Sequence, residues 1–528
     1  MDVRSKNIWI VGAARSGLAA AKLLSLNGAK VFVTDSGAID PSVKSILSDL
    51  NVLFEEGGHS IERLLKEASV VVLSPSIPLD STLPLAALQA GIPVVSEIEV
   101  ASWFIPESAI VIGITGTNGK STTTHYANQL FTLAQRNSVA CGNYGRALSD
   151  ALLDPAKFNT FVVEVSSYQL ETTFSFHPHV SIFLNLQNDH QLRYGTMDEY
   201  LKAKWRLILL TRPDGLAVID AQVLKRAIAI GLSLPRCRIA ISYGFLDQPS
   251  AAMVMDSLQC AKMRRDSMNL FRPIHLPTSS YGSLGALPIA SLTDADLLHS
   301  WLIKHESSDR FSVHIASLTG SIQDQSFDID KPVLPGDHNQ VNILSASLAA
   351  IQTGLHPNVA RAQWTRKGSA YYHLPHRLEE VEKDQSFLKS SGEQVSVRII
   401  NDSKATNVES TLVAIKSFNS PMRVLLGGEP KGDFYGEMIP YIGNNIVKIY
   451  PFGKAAPLIC QQLAIMSDKL APSSKQLIEA AQLALDESAD GDIILLSPAC
   501  ASFDEFKNFE HRGDSFRHWA TLRRVNSF

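Results

Sequence analysis

The feature that most constrains the fold of this 528-residue chain is the Gly-rich run GITGTNGKS at residues 113–121. It follows an apolar strand candidate, Ala109–Ile112, and opens a helical pattern. Glycines let backbone N–H groups approach an anion, and the N-terminus of the following helix adds partial positive charge. Lys120 can reach the β- and γ-phosphates of a nucleotide, and the Ser121 hydroxyl suits Mg²⁺. The run therefore predicts an enzyme that uses ATP or GTP.

The spacing departs from the usual phosphate loop, because five residues rather than four separate Gly113 from Gly119. A chance Gly-rich turn with a surface lysine is the alternative interpretation. The order of strand, loop and helix favours the phosphate loop.

Composition narrows the class of partner. Lys and Arg number 48 against 52 Asp and Glu, a net charge of −4, so no basic field favours nucleic acid or a membrane surface. The five cysteines are scattered without a CxxC pair, which indicates reduced thiols rather than disulfides or a zinc site. No apolar run reaches the roughly 18 to 20 residues of a membrane span, and the N-terminus leads into a strand rather than a secretion signal. We expect small-molecule partners and a cytoplasmic location.

The length predicts several α/β domains, since one domain usually takes roughly 100–200 residues. The pattern divides the chain into a first domain at 1–108, a central domain at 109–371 and a third domain at 372–528. From about 247 to 328 the periodicity fades and Ser, Pro and Gly punctuate the chain. We interpret this segment as an elaboration of the central domain that is peripheral to catalysis.

The first domain has the order of a βαβ unit, with strand, Gly-containing turn, helix and strand at Asn7–Val11, 12–17, Leu18–Leu26 and Lys30–Val33. Asp35 follows, about twenty positions after the turn, where an acidic residue can meet a ribose hydroxyl. Ala14 stands where the dinucleotide fingerprint has its second glycine. A strand-to-helix turn without a ligand is therefore the alternative.

The central and third domains carry continuous apolar runs typical of buried parallel strands. These runs are Thr160–Val165, Val180–Leu184, Val397–Ile400, Arg423–Leu426, Ile446–Tyr450 and Asp492–Leu496. The loops 401–407 and 497–502 follow two of them, at the carboxyl edge where ligands bind in open parallel sheets.

Three side chains beyond the phosphate loop are candidates for chemistry. Glu164 ends a strand, where its carboxylate can reach a metal near Ser121. His190 is a candidate ligand for a second metal, although a lone histidine is more often structural. For Lys204, a solvated helix face is the simplest interpretation. From the residues alone, the chain is a Mg·ATP-using protein of unspecified substrate.

A set of motifs then occurs in one order along nearly the whole chain. They are the run at 113–121, GNYG at 142–145, EVSSYQLE at 164–171, Asn185 with Asp189 and His190, Lys204, and GDHN at 336–339 with Asn342. With these motifs the sequence resembles the Mur ligases. In the third domain, PHR at 375–377, NDSKATN at 401–407 and SPACASFDEFKNFEHRG at 497–513 are similar to the loops of the members that add D-glutamate.

The resemblance implies a three-domain α/β fold: a Rossmann-like UDP-binding domain, a P-loop-type ATPase domain with a parallel sheet, and a Rossmann-like C-terminal domain. It also implies a reaction in peptidoglycan precursor synthesis, and hence in cell wall biogenesis, cell shape and cell division. ATP converts the L-alanyl carboxylate of UDP-N-acetylmuramoyl-L-alanine into an acyl phosphate, which the amine of D-glutamate attacks. We expect two Mg²⁺ ions and a monomeric enzyme.

The resemblance assigns residues to each ligand. ATP-binding positions are Gly116, Thr117, Asn118, Gly119, Lys120, Ser121, Thr122, Asn342, Arg377 and Asp402. Positions for the UDP-linked substrate are Ser16, Asp35, Ser36, Asn143 and Ser166. Positions for D-glutamate are Lys404, Thr406, Lys431, Ser502 and Phe509. Catalysis falls to Lys120, Glu164, His190 and Lys204, with Ser121 and Glu164 on one Mg²⁺ and His190 with a carbamylated Lys204 on the other.

Two positions depart from the family pattern, Ser76 in place of a glycine and Leu192 in place of an acidic residue. Two other functions stay open at this point. One is an amide ligase of the same superfamily with another amino acid or folate as substrate. The other is a non-catalytic nucleotide-binding module, although Lys120, Glu164, His190 and Lys204 together favour an enzyme.

Overall fold

The computed structural model describes residues 2–189, 191–245, 297–304, 311–317, 325–329, 337–356, 358–359, 374–382, 385–432, 434–443 and 445–525. The predicted ligand His190 and much of the segment 247–328 lie outside these residues. The chain forms two compact units, one of residues 1–333 with 337–367 and one of residues 334–336 with 368–528.

The first sheet is wholly parallel, because its strands are joined through helices rather than hairpins. Its strands in spatial order 3-2-1-4-5 are β1 (Asn7–Val11), β2 (Lys30–Asp35), β3 (Leu53–Glu56), β4 (Val70–Leu73) and β5 (Val94–Ser96). The helices are α1 (Arg15–Leu26), α2 (Pro41–Asp49), α3 (Ile61–Glu67), α4 (Thr82–Gln89) and α5 (Glu97–Ser102). Strands β1 and β4 are buried almost throughout, as their continuous apolar sequences predict.

The central sheet, in the same unit, has nine strands in the order 14-13-12-11-10-9-6-8-7. They are β6 (Ile110–Thr115), β7 (Ser138–Gly142), β8 (Thr160–Glu164), β9 (Val180–Phe183), β10 (Leu216–Asp220), β11 (Arg238–Phe245), β12 (Leu297–Lys304), β13 (Phe311–Ser317) and β14 (Gln325–Ile329). The helices are α6 (Lys120–Leu133), α7 (Leu148–Ala151), α8 (Ser167–Leu170), α9 (Gln191–Tyr194), α10 (Met197–Leu209), α11 (Ala221–Ala229) and α12 (Asp337–Gln352).

The last third of the segment 247–328 contains strands that its fading periodicity did not predict. Strand β12 pairs in parallel with β11, and β13 and β14 extend the same sheet in antiparallel fashion. The segment therefore ends in three strands that continue the central sheet.

The second unit contains a five-stranded sheet of order 15-18-21-19-20, in which only β15 runs antiparallel. The strands are β15 (Glu379–Val381), β18 (Arg398–Asn401), β19 (Met422–Gly427), β20 (Ile446–Phe452) and β21 (Ile493–Leu496), with a small hairpin of β16 (Phe387–Leu388) and β17 (Gln394–Val395). The helices are α13 (Val408–Lys416), α14 (Ala456–Gln462), α15 (Leu477–Asp486) and α16 (Phe509–Arg523), with 3₁₀ turns at Tyr435–Tyr441 and Ala464–Lys469.

The predicted α/β class with parallel sheets is thus confirmed, while the domain boundaries at 108 and 371 stay predictions. Within the first unit, Glu99 of α5 joins the first sheet to the central one. Its fully buried carboxylate accepts hydrogen bonds from the backbone N–H groups of Phe174 and Ser175, both at 2.7 Å. Among the described residues, no helix is long and apolar enough to cross a membrane.

Candidate active site

The predicted phosphate loop lies between β6 and α6, in the conformation that its glycines allow. Gly116 has φ +151° and Gly119 has φ +81°, a backbone region that L side chains rarely adopt. A Cβ on Gly119 would also lie 2.4 Å from Oδ1 of Asn342, a residue of α12. The structure therefore brings Asn342, a predicted nucleotide contact, directly onto the loop.

Residues after β9 hold the loop in shape. The N–H of Asn118 donates to Oδ1 of Asn185 (2.9 Å), and Nδ2 of Asn185 donates back to the carbonyl of Asn118 (3.1 Å). Nδ2 of Asn118 donates to Oε1 of Gln187 (2.6 Å), whose own N–H donates to Oγ1 of Thr117 (3.0 Å). Gln187 was not predicted, because an uncharged residue with no motif spacing gives no sequence signal.

Two lysines converge on one loop carbonyl. Nζ of Lys120 donates to the carbonyls of Gly116 (2.9 Å) and Thr117 (2.6 Å). Nζ of Lys204, on α10, also donates to the Gly116 carbonyl, at 2.8 Å. Lys204 is only 1% exposed, so the solvated helix face considered for it is wrong. Burial lowers the pKa of Lys204 well below its usual value and Lys120 adds to the effect, although Asp189 and Glu164 oppose it.

Glu164 ends β8 beside the same loop, as its position in the sequence predicts. Its side chain is buried, and its Oε1 accepts a hydrogen bond from Nδ2 of Asn143 at 2.7 Å. Asn143, predicted for the UDP-linked substrate, is held in turn by Arg15, which donates to its carbonyl at 3.0 Å. The first domain thus reaches the central site through Arg15, which sequence patterns did not single out.

The donor chemistry here fits a hard divalent cation. Carboxylate and hydroxyl oxygens are the ligands that Mg²⁺ takes in proteins, and Glu164 and Ser121 supply one of each. The described residues contain no group of three or more His, Cys, Asp or Glu side chains placed to hold a metal, and His190 lies outside them. Glu164 and Ser121 are described side chains that could hold Mg²⁺, and Lys204 could join them once it carries an anionic oxygen.

Two residues predicted for the UDP-linked substrate have clear structural partners. Asp35 accepts hydrogen bonds from the N–H groups of Ala13 (2.7 Å) and Gly37 (2.9 Å), so it joins the turns after β1 and β2. Ser166 caps α8 in a reciprocal pair with Gln169. Ser16, in the first turn of α1, is half-buried, and Ser36, just after β2, is exposed.

In the second unit, Asp402 follows β18 and is buried. Its Oδ1 accepts from the N–H of Leu378 (3.2 Å) and its Oδ2 from Oγ of Ser497 (2.9 Å). Burial raises the pKa of Asp402 to about 7, although these hydrogen bonds and the charges of Arg377 and Arg512 oppose the shift.

Arg512 holds two predicted loops of this unit together. Its fully buried guanidinium donates to Oγ and O of Ser403 (2.9 and 2.8 Å) and to the carbonyls of Cys500 and Ala501 (3.1 Å). Burial lowers its pKa to about 10. Arg512 lies in the motif at 497–513, but nothing in the linear sequence distinguishes a buried arginine from an exposed one.

The residues predicted for D-glutamate are brought together in part. Nζ of Lys404 lies 3.8 Å from the centre of the Phe509 ring, a cation–π contact. Ser502 is buried, Thr406 is half-buried and Lys431 is exposed.

At the end of β18, Nδ2 of Asn401 lies 3.0 Å from Nδ1 of His376 and donates to the carbonyl of Gly513 (3.2 Å). The ring of His376 sits so close to Gly513 that a Cβ there would lie 2.1 Å from Nδ1.

Comparison with known proteins decides the family. Residues 114–277 match the Mur ligase middle domain, and residues 6–96 match the N-terminal domain of MurD-like Mur ligases. The UDP-N-acetylmuramoylalanine–D-glutamate ligases of Salinibacter ruber and Chlorobium limicola are each 32% identical to this chain, covering 98% of both sequences. The chain belongs to the Mur ligase family. It is therefore an ATP-dependent ligase of peptidoglycan synthesis.

Solved Mur ligases share its fold. The UDP-N-acetylmuramate–alanine ligase of Thermotoga maritima superimposes with a TM-score of 0.54 at 12% identity, over 98% of this chain and 99% of that one. The MurF ligase of Thermotoga maritima in complex with ADP gives a TM-score of 0.52 at 14% identity, over 99% and 96%. The Mur ligase fold predicted from the motifs is thus confirmed.

Proposed function

We propose that this Mur ligase joins D-glutamate to UDP-N-acetylmuramoyl-L-alanine, with hydrolysis of ATP to ADP and phosphate. The observation that carries the proposal is the convergence of Lys120, Lys204 and Glu164 on the phosphate loop, next to Asn143. A phosphate-binding loop, a buried amine and a buried carboxylate are the groups needed to move a phosphoryl group onto a carboxylate.

The chemistry follows from charge. A carboxylate is a poor acyl donor, so the L-alanyl carboxylate oxygen attacks the γ-phosphorus of ATP and ADP leaves. The amine of D-glutamate then attacks the acyl carbon, phosphate leaves, and the amine proton goes to solvent. Lys120 moves from the loop carbonyls to the phosphate oxygens, and the N-terminus of α6 adds partial positive charge there.

Mg²⁺ belongs to this proposal. Ser121 and Glu164 would hold one ion, and His190 with Lys204 as a carbamate would hold a second. When bound, the ions neutralise oxygens of the transferring phosphoryl group. Burial lowers the pKa of Lys204 and so favours the neutral amine that reacts with CO₂, which supports the carbamate.

The remaining predicted contacts complete the proposal. Ser16, Asp35, Ser36, Asn143 and Ser166 serve the UDP-linked substrate, Asn342, Arg377 and Asp402 serve the nucleotide, and Lys404, Thr406, Lys431, Ser502 and Phe509 serve D-glutamate. A cationic and hydroxyl set suits the two carboxylates of a small acidic amino acid. We further propose a cytoplasmic monomer.

Phosphate release tests the substrate assignment. With ATP and UDP-N-acetylmuramoyl-L-alanine present, D-glutamate should support release, whereas L-glutamate and meso-diaminopimelate should not. Lys431→Ala should raise the KM for D-glutamate far more than the KM for ATP. The matched control is Lys389→Ala, which removes a lysine paired with Glu393 on the β16–β17 hairpin. Preference for a diamino acid would refute the assignment.

A further inference from the structure

A half-buried ion pair between Arg193 and Glu171 lies in the central domain, outside the predicted site. Nε of Arg193 donates to Oε1 of Glu171 at 3.1 Å, and its NH2 donates to Oε2, which makes the pair bidentate. The side chains are only 15% and 14% exposed. The Tyr194 hydroxyl also donates to Glu171, at 2.6 Å. Glu171 thus fixes the guanidinium plane of Arg193.

The same guanidinium reaches the first domain. NH1 and NH2 of Arg193 donate to the carbonyls of Pro75 and Ile77, both at 3.4 Å. These carbonyls lie in the loop that follows β4, at the carboxyl edge of the first sheet. Ligands of open parallel sheets bind at that edge. The ring of Tyr168 lies against the guanidinium, 4.3 Å from its centre to Cζ.

We propose that Arg193 is a positioning residue for the UDP-linked substrate, because it orients the loop of residues 74–78 from the central domain. The inference rests on the proposed function for the identity of that substrate. Two carbonyls held by one planar fork fix two peptide planes of the loop, and hence the direction of its N–H groups and of the Ser74 and Ser76 side chains. A lysine presents a point charge with freely rotating donors rather than a planar fork, so it can contact these carbonyls without fixing the angle between their peptide planes.

A series of contacts also runs from Tyr194, beside Arg193, to the proposed catalytic residue Lys204. The test must therefore separate an effect of Arg193 on the loop from an effect on Lys204. The Tyr194 ring lies 5.2 Å from Tyr200, and the Tyr200 ring lies 4.6 Å from Nζ of Lys204. If Arg193 only supported the packing of α9 and α10, its loss would reach Lys204 and lower kcat. If it orients the loop, its loss raises the KM for the UDP-linked substrate.

The experiment compares Arg193→Met and Arg193→Lys in the full-length enzyme. We expect Arg193→Met to raise the KM for UDP-N-acetylmuramoyl-L-alanine at least tenfold, with Arg193→Lys between it and the wild type. The KM for ATP and for D-glutamate should stay within twofold, and kcat within threefold. The matched control is Arg226→Met, which breaks an exposed pair in the same unit, where two guanidinium nitrogens donate to Oδ1 of Asp198, and which should change none of these values.

Calorimetric titration with the UDP-linked substrate alone gives a readout that does not need turnover. A tenfold weaker dissociation constant for folded Arg193→Lys or Arg193→Met supports the inference, even if D-glutamate proves not to be the acceptor. Unchanged affinity in a folded variant, a parallel rise of all three KM values, or a fall of kcat alone would overturn it. If wild-type enzyme turned over other substrates and did not bind the UDP-linked one, the proposed function and this inference would both be wrong.

Discussion

Lys204 is the residue at which the fold most changes the chemistry of a side chain. The amine is buried against the Gly116 carbonyl, next to a second lysine. A permanent cation at that point would repel metal ions, whereas addition of CO₂ to the neutral amine creates an anionic oxygen donor.

We therefore expect Lys204→Ala to abolish activity without unfolding the protein. Acetate or formate should restore part of the activity, because a small carboxylate can occupy the vacated anionic position. The matched control is Lys202→Ala, on the same helix, which removes an exposed lysine paired with Glu199. Rescue by small amines instead, or full activity of Lys204→Ala, would contradict the carbamate.

Asp402 gives a prediction about stability. Its pKa is about 7 in the folded chain and about 3.9 in an unfolded one. Between those values the folded chain keeps a proton that the unfolded chain has released. The stabilisation is therefore fully present below about pH 4 and is lost as pH rises toward 7, by at most about 1.4 kcal/mol per pH unit.

Asp402→Asn cannot titrate, so the melting temperature of the wild type minus that of the variant should fall between pH 5 and pH 8. Ser497→Ala removes a hydrogen bond to Asp402 but keeps the acid, and it should retain the wild-type slope. Differential scanning fluorimetry at four pH values measures both. A difference that stays constant over this range would show that Asp402 is already ionised in the folded chain at pH 5.

At the scale of elements, the loop between β6 and α6 is so close to α12 that one added methyl group at position 119 should weaken ATP binding. Gly119→Ala adds backbone strain at φ +81° and a clash with Asn342. Gly91→Ala adds strain at φ +75°, but its Cβ would meet nothing within 4 Å. We expect the KM for ATP to rise at least tenfold in Gly119→Ala and to stay unchanged in Gly91→Ala. Equal KM values in the two variants would show that the Asn342 contact does not shape the nucleotide site.

Strands β12–β14, at the end of the segment 247–328, belong to the central sheet, so we expect that only the part of the segment before them can be removed without damage to the fold. A Gly/Ser linker of about 12 residues in place of 250–292 leaves β12–β14 in the sheet, and it is long enough for a parallel crossover. The folded, active enzyme should survive that change. Replacement of 250–330 would expose the edge of β11, a hydrophobic strand, and should cause aggregation. Soluble, active enzyme from the longer replacement would show that β12–β14 are dispensable.

These elements also show how far sequence reasoning reaches. Strands β1, β2 and β6 and the phosphate loop were predicted because local apolar runs and glycines determine them. Strands β12–β14 were not, because their stability comes from neighbours along the sheet rather than from a pattern within the segment. Arg193 and Arg512 were missed, since each is held by partners that are distant in the sequence. The linear order of charges does not encode such pairs.

At the scale of the whole molecule, the buried carboxylate of Glu99 makes the first and central sheets parts of one unit. Besides Phe174 and Ser175, it accepts a hydrogen bond from Nε1 of Trp103 at 3.1 Å. Glu99→Gln keeps the shape but replaces one acceptor oxygen with a donor, which should cost about 1–3 kcal/mol.

Calorimetry of Glu99→Gln should show this loss of stability as a fall of several degrees in the melting temperature of the first unit, with the transition of the second unit unchanged. Glu67→Gln, which weakens an exposed pair with Arg63 on α3, should shift it by less than a degree. An equal shift from both variants would mean that Glu99 does not hold the two sheets together.

The contact between His376 and Gly513 constrains how this sequence can diverge. A glycine inside a long helix costs about 1 kcal/mol relative to alanine, yet α16 keeps one because the imidazole occupies the space of its missing side chain. A lineage that gained any larger residue at 513 would first have to lose or displace the ring at 376. The two positions, 137 residues apart in the numbering, are therefore expected to change together or not at all.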